Sequence, residues 1–199
     1  SWNQIVNSSV NKITMGSISK FKKDSLYNYT LKDTSKNIMI VGNVKSRMQL
    51  YYLGIELSTK LPEYTIYYKL RPEEYFTWKE IFPKDHLSIT NFVIIDSFKY
   101  PLDYYLKLCD YVIGVDSTVL FEGLLYKKTP IFLIDDYCWY LNYRLFIENK
   151  IGSVINSSDD FIDILKTNHD NNIKLSDYIN EFNKTLFLKF ISGVVSGEN

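Results

Sequence analysis

Three consecutive polar residues, between an apolar strand and an apolar helix, are the best candidates for chemistry in this sequence. They are Asp116, Ser117 and Thr118. A β-prone run precedes them at residues 111–115, and a helical pattern follows at residues 119–126. The two hydroxyls and the unpaired N–H groups of a helix start favour phosphate, because they lie at the positive end of the helix dipole. The alternative is that they only cap the helix.

A carboxylate follows one helical turn after Thr118, on the same face of the predicted helix. This residue is Glu122, and its neighbours along the helix are apolar. Such a carboxylate either faces solvent or meets a ligand. At the mouth of a nucleotide site it can accept two hydrogen bonds from ribose hydroxyls.

A second polar group closes the strand predicted at residues 65–70. Lys69 and Arg71 stand there, so both cations can reach the same crevice, and the planar fork of Arg suits phosphate. The alternative is a surface Arg paired with Glu73 or Glu74. Pro72 suits the first turn of a helix, which we expect to continue through Trp78.

Other classes of site have little support in the sequence. His86 and His169 are isolated in polar segments without metal-ligand spacing, so we predict no metal site. Gly42 is the single glycine in the segment after the first predicted strand, which argues against a classical dinucleotide site or a P-loop. Trp78 is expected to pack in the core rather than to stack on a base.

Composition sets the broad class of the protein. Of 199 residues 46% are apolar, and 23 Lys and Arg balance 23 Asp and Glu, so charge gives no reason to expect nucleic acid or an anionic membrane as a partner. Cys109 and Cys138 lie in apolar helical patterns, as buried thiols in a reducing cytosol would. No apolar run reaches 18 residues. We therefore predict a cytoplasmic protein with at most peripheral association with the inner face of the membrane.

The elements that must position these residues follow an α/β pattern. Strands alternate with helices, which predicts a Rossmann-like, doubly wound parallel sheet of about six strands in the order 3-2-1-4-5-6. Residues 1–36 are expected to be a connector or the remnant of a preceding domain, and residues 37–199 the folded domain. The predicted strands are residues 38–41, 65–70, 92–95, 111–115, 130–134 and 153–155.

Helix starts are predicted from capping residues. Ser46 with Gln49 has the spacing of a capping box, and Leu50, Leu53 and Leu57 would form the buried face of that helix. The segment Ser157-Ser158-Asp159-Asp160 predicts another helix start. Further helices are expected near Pro101, at residues 137–148 and, as the last helix, at residues 175–186.

Two motifs resemble those of a known family. Lys69-Leu70-Arg71-Pro72-Glu73 resembles the first five positions of the Lys-x-His-Pro-x-Glu signature of the C-terminal domain of GT-B glycosyltransferases, as in bacterial sialyltransferases, polysialyltransferases and glycerophosphotransferases. The segment from Asp116 to Glu122 resembles the paired-serine signature of the same enzymes. The resemblance implies that both motifs hold the phosphate of a CMP- or CDP-activated donor. It further implies that the helix carboxylate holds the ribose.

Two departures from the family pattern affect the site. Arg71 stands where the family has His, which keeps phosphate binding but removes a general acid near neutral pH. Thr118 replaces the second Ser and keeps a hydroxyl. The first change leaves open a different donor or a degenerate site. Residues 13–16 resemble the connector between GT-B domains, which implies a donor-binding half whose acceptor-binding N-terminal half is missing.

These observations lead to one main expectation and two alternatives. We expect the donor-binding part of a glycosyltransferase acting on a cell-surface polysaccharide or lipooligosaccharide, with a nucleotide-sugar donor and no cofactor, metal or nucleic acid. Its catalytic residues are not predicted. The first alternative is a GT-B-like glycerophosphotransferase or nucleotide-sugar epimerase, and the second is a non-catalytic α/β binding module.

Overall fold

Six parallel strands form one sheet in the computed structural model, which describes residues 36–115, 117–134 and 152–167. These residues all belong to one compact unit, residues 29–173. The strand order is β3-β2-β1-β4-β5-β6, and every pairing is parallel. The predicted fold class and strand order are confirmed. The strands are β1 (Lys36–Val41), β2 (Tyr64–Lys69), β3 (Phe92–Ile95), β4 (Tyr111–Gly114), β5 (Thr129–Leu133) and β6 (Ser153–Ile155).

Helices connect successive strands in the described ranges. Two short 3-10 turns, Pro72–Glu74 and Lys84–Ser88, lie between β2 and β3. The α-helices are α1 (Arg47–Lys60), α2 (Trp78–Ile81), α3 (Leu102–Leu108), α4 (Thr118–Leu125) and α5 (Ser158–Lys166). None of these helices is long and apolar enough to cross a membrane.

Helices cover both faces of the sheet. Because successive strand residues point to opposite sides, each strand contributes side chains to both buried faces. In β1, Ile38 and Ile40 join the core beneath α1 and α5, whereas Met39 and Val41 join the core beneath α3 and α4. Leu50, Leu53 and Leu57 of α1 are all buried in the first core, as predicted. Cys109 lies buried in the second core, and burial raises the pKa of its thiol to about 12.

The start of α1 is not the predicted capping box. Ser46 is the N-cap, but its side chain makes no cap hydrogen bond. The Asn43 side chain instead accepts hydrogen bonds from the N–H groups of Lys45 and Ser46. Gln49 donates to the backbone oxygen of Ile134, 3.0 Å away, so it fastens α1 to the end of β5. At α5 the predicted start is confirmed, since the Ser157 Oγ accepts the N–H of Asp160.

The predicted helix from Pro72 through Trp78 is wrong. Pro72 does stand at the first position, but of the 3-10 turn Pro72–Glu74, and α2 begins separately at Trp78. Backbone bonds here span three residues, as from the Glu74 N–H to the Arg71 oxygen and from the Thr77 N–H to the Glu74 oxygen, so no α-helical ladder forms. Trp78 is buried in the core, as expected, and donates to Asp96 at 2.9 Å.

Several predictions fall on residues that the structure does not describe. They concern the connector before Lys36, residues 13–16, the helices at residues 137–148 and 175–186, Cys138 and His169. All of these stay predictions, as does the division into residues 1–36 and 37–199.

Candidate functional site

The carboxyl ends of four neighbouring strands finish at one level of the sheet. In the register, Val41 of β1 pairs with Lys69 of β2, and Gly114 of β4 pairs with Phe132 of β5. Ile40 pairs with Ile113, so Gly114 follows at the level of Val41. The loops that leave these strands therefore begin side by side at one edge of the sheet.

The topology makes this edge a candidate ligand site. From β1 the chain runs to β2 and β3 on one side, and it then returns to β4 on the other side of β1. In open α/β sheets, ligands bind beyond the carboxyl ends of the strands at such a reversal. The loop at residues 42–46 follows β1, and Ser117 follows β4, so we expect these two segments to border such a crevice. Arg71 follows β2, two strand steps, or about 10 Å, from β4.

Gly42 brings the first of these loops close to the end of β2. Its N–H donates to the backbone oxygen of Lys69 at 2.8 Å. A Cβ at this position would lie 2.9 Å from the same oxygen, closer than such contacts are found. A glycine is therefore required for this approach of the two backbones. In the sequence, Gly42 served only as evidence against glycine-rich motifs, and this role was not predicted.

Ser117 caps α4 with the geometry of an N-cap residue. Its backbone is extended, its Oγ accepts the N–H of Val119 at 3.3 Å, and its backbone oxygen accepts the N–H of Leu120 at 3.1 Å. The capping alternative is thus present in the structure. It does not exclude an anion, because a hydroxyl that accepts through oxygen still donates through its proton. Thr118 is the first residue of α4 and is exposed, whereas Asp116 lies outside the described residues.

Glu122 lies one turn after Thr118 on α4, as predicted, and is half-buried. Its charge acts on Tyr126: burial raises the pKa of that phenol, and the carboxylates of Asp103 and Glu122 raise the pKa further. The contact with ribose that the sequence suggests stays a prediction.

Arg71 is paired with its neighbour. Its Nε lies 2.7 Å from Glu73 Oε1, and the two side chains are 50% and 53% exposed. The alternative of a surface pair is therefore realised. An exposed pair of this kind contributes only about 0–1 kcal/mol. A phosphate dianion can compete with such a carboxylate, so the pair leaves phosphate binding by Arg71 open.

The Lys69 side chain contacts Tyr75 in the structure. Its Nζ donates to the Tyr75 hydroxyl at 2.9 Å and lies 5.5 Å from the centre of that ring. Tyr75 is buried. Pro72 is exposed at the start of its 3-10 turn. The contact of Lys69 and Pro72 with a donor stays a prediction.

Sequence reasoning missed the buried carboxylate at this edge. Glu74 is 4% exposed, and it is the one fully buried charged residue in the described part of the chain. It accepts the N–H of Arg71 at 3.2 Å and lies 3.7 Å from Arg47 Nη1. The signal was available, because an acidic residue three positions after Arg71 has capping-box spacing. The sequence predicts Glu74 only as a surface partner of Arg71, and its burial corrects that prediction.

His86 is half-buried and contacts Tyr51 of α1. Its Nδ1 lies 3.1 Å from the Tyr51 hydroxyl and 3.0 Å from the backbone oxygen of Pro83. In the described ranges no three His, Cys, Asp or Glu side chains are grouped so that they could hold a metal ion.

Comparison with known proteins identifies the fold. No family model and no curated protein sequence matches the chain. Among solved structures, the chain is similar to the UDP-GlcNAc 2-epimerase of Methanocaldococcus jannaschii, with a TM-score of 0.52 and 16% identity over 81% of this chain and 45% of that one. It is also similar to the C-terminal CMP-Kdo binding domain of WaaA from Acinetobacter baumannii, with a TM-score of 0.50 and 12% identity over 68% of this chain and 80% of that one.

A third similar structure is the glycotransferase of kitacinnamycin, with a TM-score of 0.51 and 12% identity over 66% of this chain and 34% of that one. The chain thus spans about a third of that glycotransferase and less than half of the epimerase. At these identities the likeness shows a shared α/β fold.

Proposed function

We propose that this chain is the donor-binding part of a glycosyltransferase that transfers a sugar from a nucleotide-activated donor to a cell-surface polysaccharide or lipooligosaccharide. One observation carries the proposal: the loops after β1, β2 and β4 begin at one level beside the reversal of strand order. Ser117 and the start of α4 border that crevice, and Arg71 lies one strand beyond β1. The proposal includes a cytoplasmic location, with at most peripheral contact with the inner face of the membrane.

The donor is proposed to be CMP- or CDP-linked. This choice rests on the resemblance of the segments at Arg71 and Ser117 to the two phosphate-binding motifs of bacterial GT-B enzymes. The similarity in fold to a CMP-Kdo binding domain agrees with it. The sugar itself is left open by both observations.

The groups at the crevice suit a phosphate that gains negative charge as the sugar leaves. The Ser117 hydroxyl and the hydroxyl and N–H of Thr118 can donate to phosphate oxygens at the positive end of α4. Arg71 can exchange Glu73 for phosphate, because their pair is exposed. Donors held in place before the reaction stabilise the departing nucleotide electrostatically. All of these groups belong to the protein, and the proposed mechanism uses no metal.

The acceptor is assigned to a separate, N-terminal domain, together with the base that activates it. Arg71 cannot replace His as a general acid, because a guanidinium stays protonated near neutral pH. Transfer requires donor and acceptor to be positioned together. We therefore expect the 199-residue chain to bind nucleotide but to turn over poorly. Rapid transfer by this chain alone would contradict the assignment of the acceptor to another domain.

The proposal is tested by titrating the chain with CMP, CDP, UDP and the matching nucleosides in a calorimeter. We expect binding of CMP or CDP, with weaker binding of cytidine. A preference for UDP would favour a nucleotide-sugar epimerase. Detection of copurified CDP-glycerol by mass spectrometry would favour a glycerophosphotransferase. No heat with any nucleotide would refute the proposal and favour a non-catalytic module in which Ser117 only caps α4.

A further inference from the structure

A buried carboxylate behind the crevice has no role in the phosphate contacts proposed above. Glu74 is 4% exposed, and burying a charged carboxylate is costly unless it is paired and hydrogen-bonded. Its Oε2 accepts the N–H of Arg71 at 3.2 Å. Its Oε1 has no hydrogen-bond donor among the described residues and lies 3.7 Å from Arg47 Nη1, an ion-pair distance.

The partner of Glu74 is the first residue of α1, directly after the loop that borders the crevice. Arg47 is held a second time, because its backbone oxygen accepts the hydroxyl of the fully buried Tyr68 at 3.1 Å. The other end of the loop is held by the hydrogen bond from the Gly42 N–H to the Lys69 oxygen at 2.8 Å. Both ends of the loop at residues 42–46 are thus tied to the end of β2.

We propose that Glu74 is a positioning residue, whose buried charge holds the β1–α1 loop and the Arg71 backbone together and so sets the shape of the nucleotide crevice. Its one side chain connects Arg47 and Arg71, which are 24 positions apart in the chain. The role in nucleotide binding rests on the proposed function. The role in holding the loop does not.

Glu74→Gln tests this role because it keeps the shape and an amide oxygen for the Arg71 N–H but removes the charge that holds Arg47. Arg47→Gln is the second variant; the Arg47 side chain is 30% exposed, so this change does not empty the core. We expect both variants to keep the wild-type far-UV circular dichroism. In hydrogen exchange, we expect faster exchange at the amides of Gly42, Lys45 and Ser46, and no change at Ile134, which bonds to Ile155 at the far side of the sheet.

Binding of CMP and cytidine separates positioning from charge. Loss of a negative charge near an anion site, acting by electrostatics alone, would tighten CMP. For Glu74→Gln, positioning predicts the opposite sign: the ratio of CMP to cytidine affinity should fall roughly tenfold, as expected when a charge-assisted contact to phosphate is misplaced. The ratio should also fall in Arg47→Gln, where loss of a positive charge acts in the same direction, so Glu74→Gln is the variant that separates the two explanations. Glu73→Gln is the matched control, since it removes an exposed carboxylate from Arg71. We expect this control to raise the ratio and to leave exchange unchanged.

Unchanged exchange at Gly42, Lys45 and Ser46 in both variants would overturn the proposal, whether or not the protein binds nucleotide. Faster exchange with an unchanged or raised ratio of CMP to cytidine affinity would show that Glu74 is only structural and would overturn its role in the crevice. An equal fall of this ratio in the Glu73→Gln control would also overturn that role. If the wild-type chain binds no nucleotide, the proposed function fails, and the exchange data alone decide whether Glu74 holds the loop.

Discussion

At the scale of single residues, the side chains at the crevice are already engaged with protein groups. Ser117 caps α4, Arg71 pairs with Glu73, and Lys69 donates to Tyr75. These three contacts differ in strength, and the strength of a contact decides whether a ligand can displace it. The exposed Arg71 pair is weak, whereas the Ser117 cap leaves the hydroxyl proton available.

Ser117→Ala should weaken both the protein and its binding of nucleotide. Loss of the cap should lower the free energy of unfolding by about 1 kcal/mol, within a usual range of about 0.5–2 kcal/mol. Loss of a donor to phosphate should weaken CMP or CDP by about 1–3 kcal/mol. The control is Ser157→Ala, which removes an equivalent cap from α5. We expect the control to cost similar stability, measured by urea titration, and to leave nucleotide affinity unchanged; equal losses of affinity would contradict the role of Ser117.

Arg71→Ala should act on the phosphate alone. Because a nucleoside offers no phosphate, the variant should weaken CMP far more than cytidine in a calorimetric titration. The matched change Glu122→Ala should weaken both about equally if its carboxylate holds the ribose. If Arg71→Ala leaves the ratio of the two affinities unchanged, Arg71 is not the counterpart of the family's His.

At the scale of elements, the strands and their order followed from sequence because each strand is a short apolar run, and crossover connections in parallel sheets are right-handed. The break between Pro72 and Trp78 could not be predicted in this way. Glu74, the last residue of the 3-10 turn, is buried against Arg47, which is far away in sequence. The side of the sheet to which the Lys69 side chain points could not be predicted either. Strand β2 (Tyr64–Lys69) has aromatic residues on both faces, so its sequence pattern does not show which face is which.

The approach of the β1 loop to the end of β2 predicts opposite effects of Ala at two glycines. Gly42→Ala would place a methyl group 2.9 Å from the Lys69 oxygen, so the backbone must shift. We expect a loss of about 1–3 kcal/mol in the free energy of unfolding and weaker nucleotide binding. Gly123→Ala in α4 meets only ordinary contacts, 3.6 Å from Lys128 and Val112, and should stabilise by about 0.5–1 kcal/mol. Urea titrations of both variants check the two signs, and an unchanged Gly42→Ala protein would contradict the close approach.

At the scale of the whole molecule, the buried core should set the response of stability to alkaline pH. Burial raises the pKa of the Cys109 thiol to about 12, above its ordinary value of 9.0. Because the pKa is raised in the folded state, the unfolded chain releases this proton at a lower pH than the folded chain. The contribution of the neutral thiol to the free energy of unfolding is therefore complete below about pH 9 and is lost as pH rises toward 12. One such proton gives a slope of about 1.4 kcal/mol per pH unit. Cys109→Ala should therefore flatten the decline of unfolding free energy between pH 9 and pH 11, and an unchanged slope would contradict a thiol buried in its neutral form.

The fold class of the molecule was predictable from its pattern of strands and helices, but the site was only partly so. Sequence located the loops by their strand ends, as at Ser117 and Arg71. It did not reveal Glu74, because burial of a charge depends on the packing of α1 against the end of β2.

The central claim is that a nucleotide binds where the loops after β1, β2 and β4 meet, and hydrogen exchange with and without CMP or CDP tests it most directly. We expect nucleotide to slow exchange in three segments: residues 42–47, residues 71–74 and the start of α4 at residues 118–120. Residues 84–91 and α5 lie away from this edge and should exchange unchanged. Protection at residues 84–91 or α5 with none at the three segments, or no protection anywhere at saturating nucleotide, would contradict the claim.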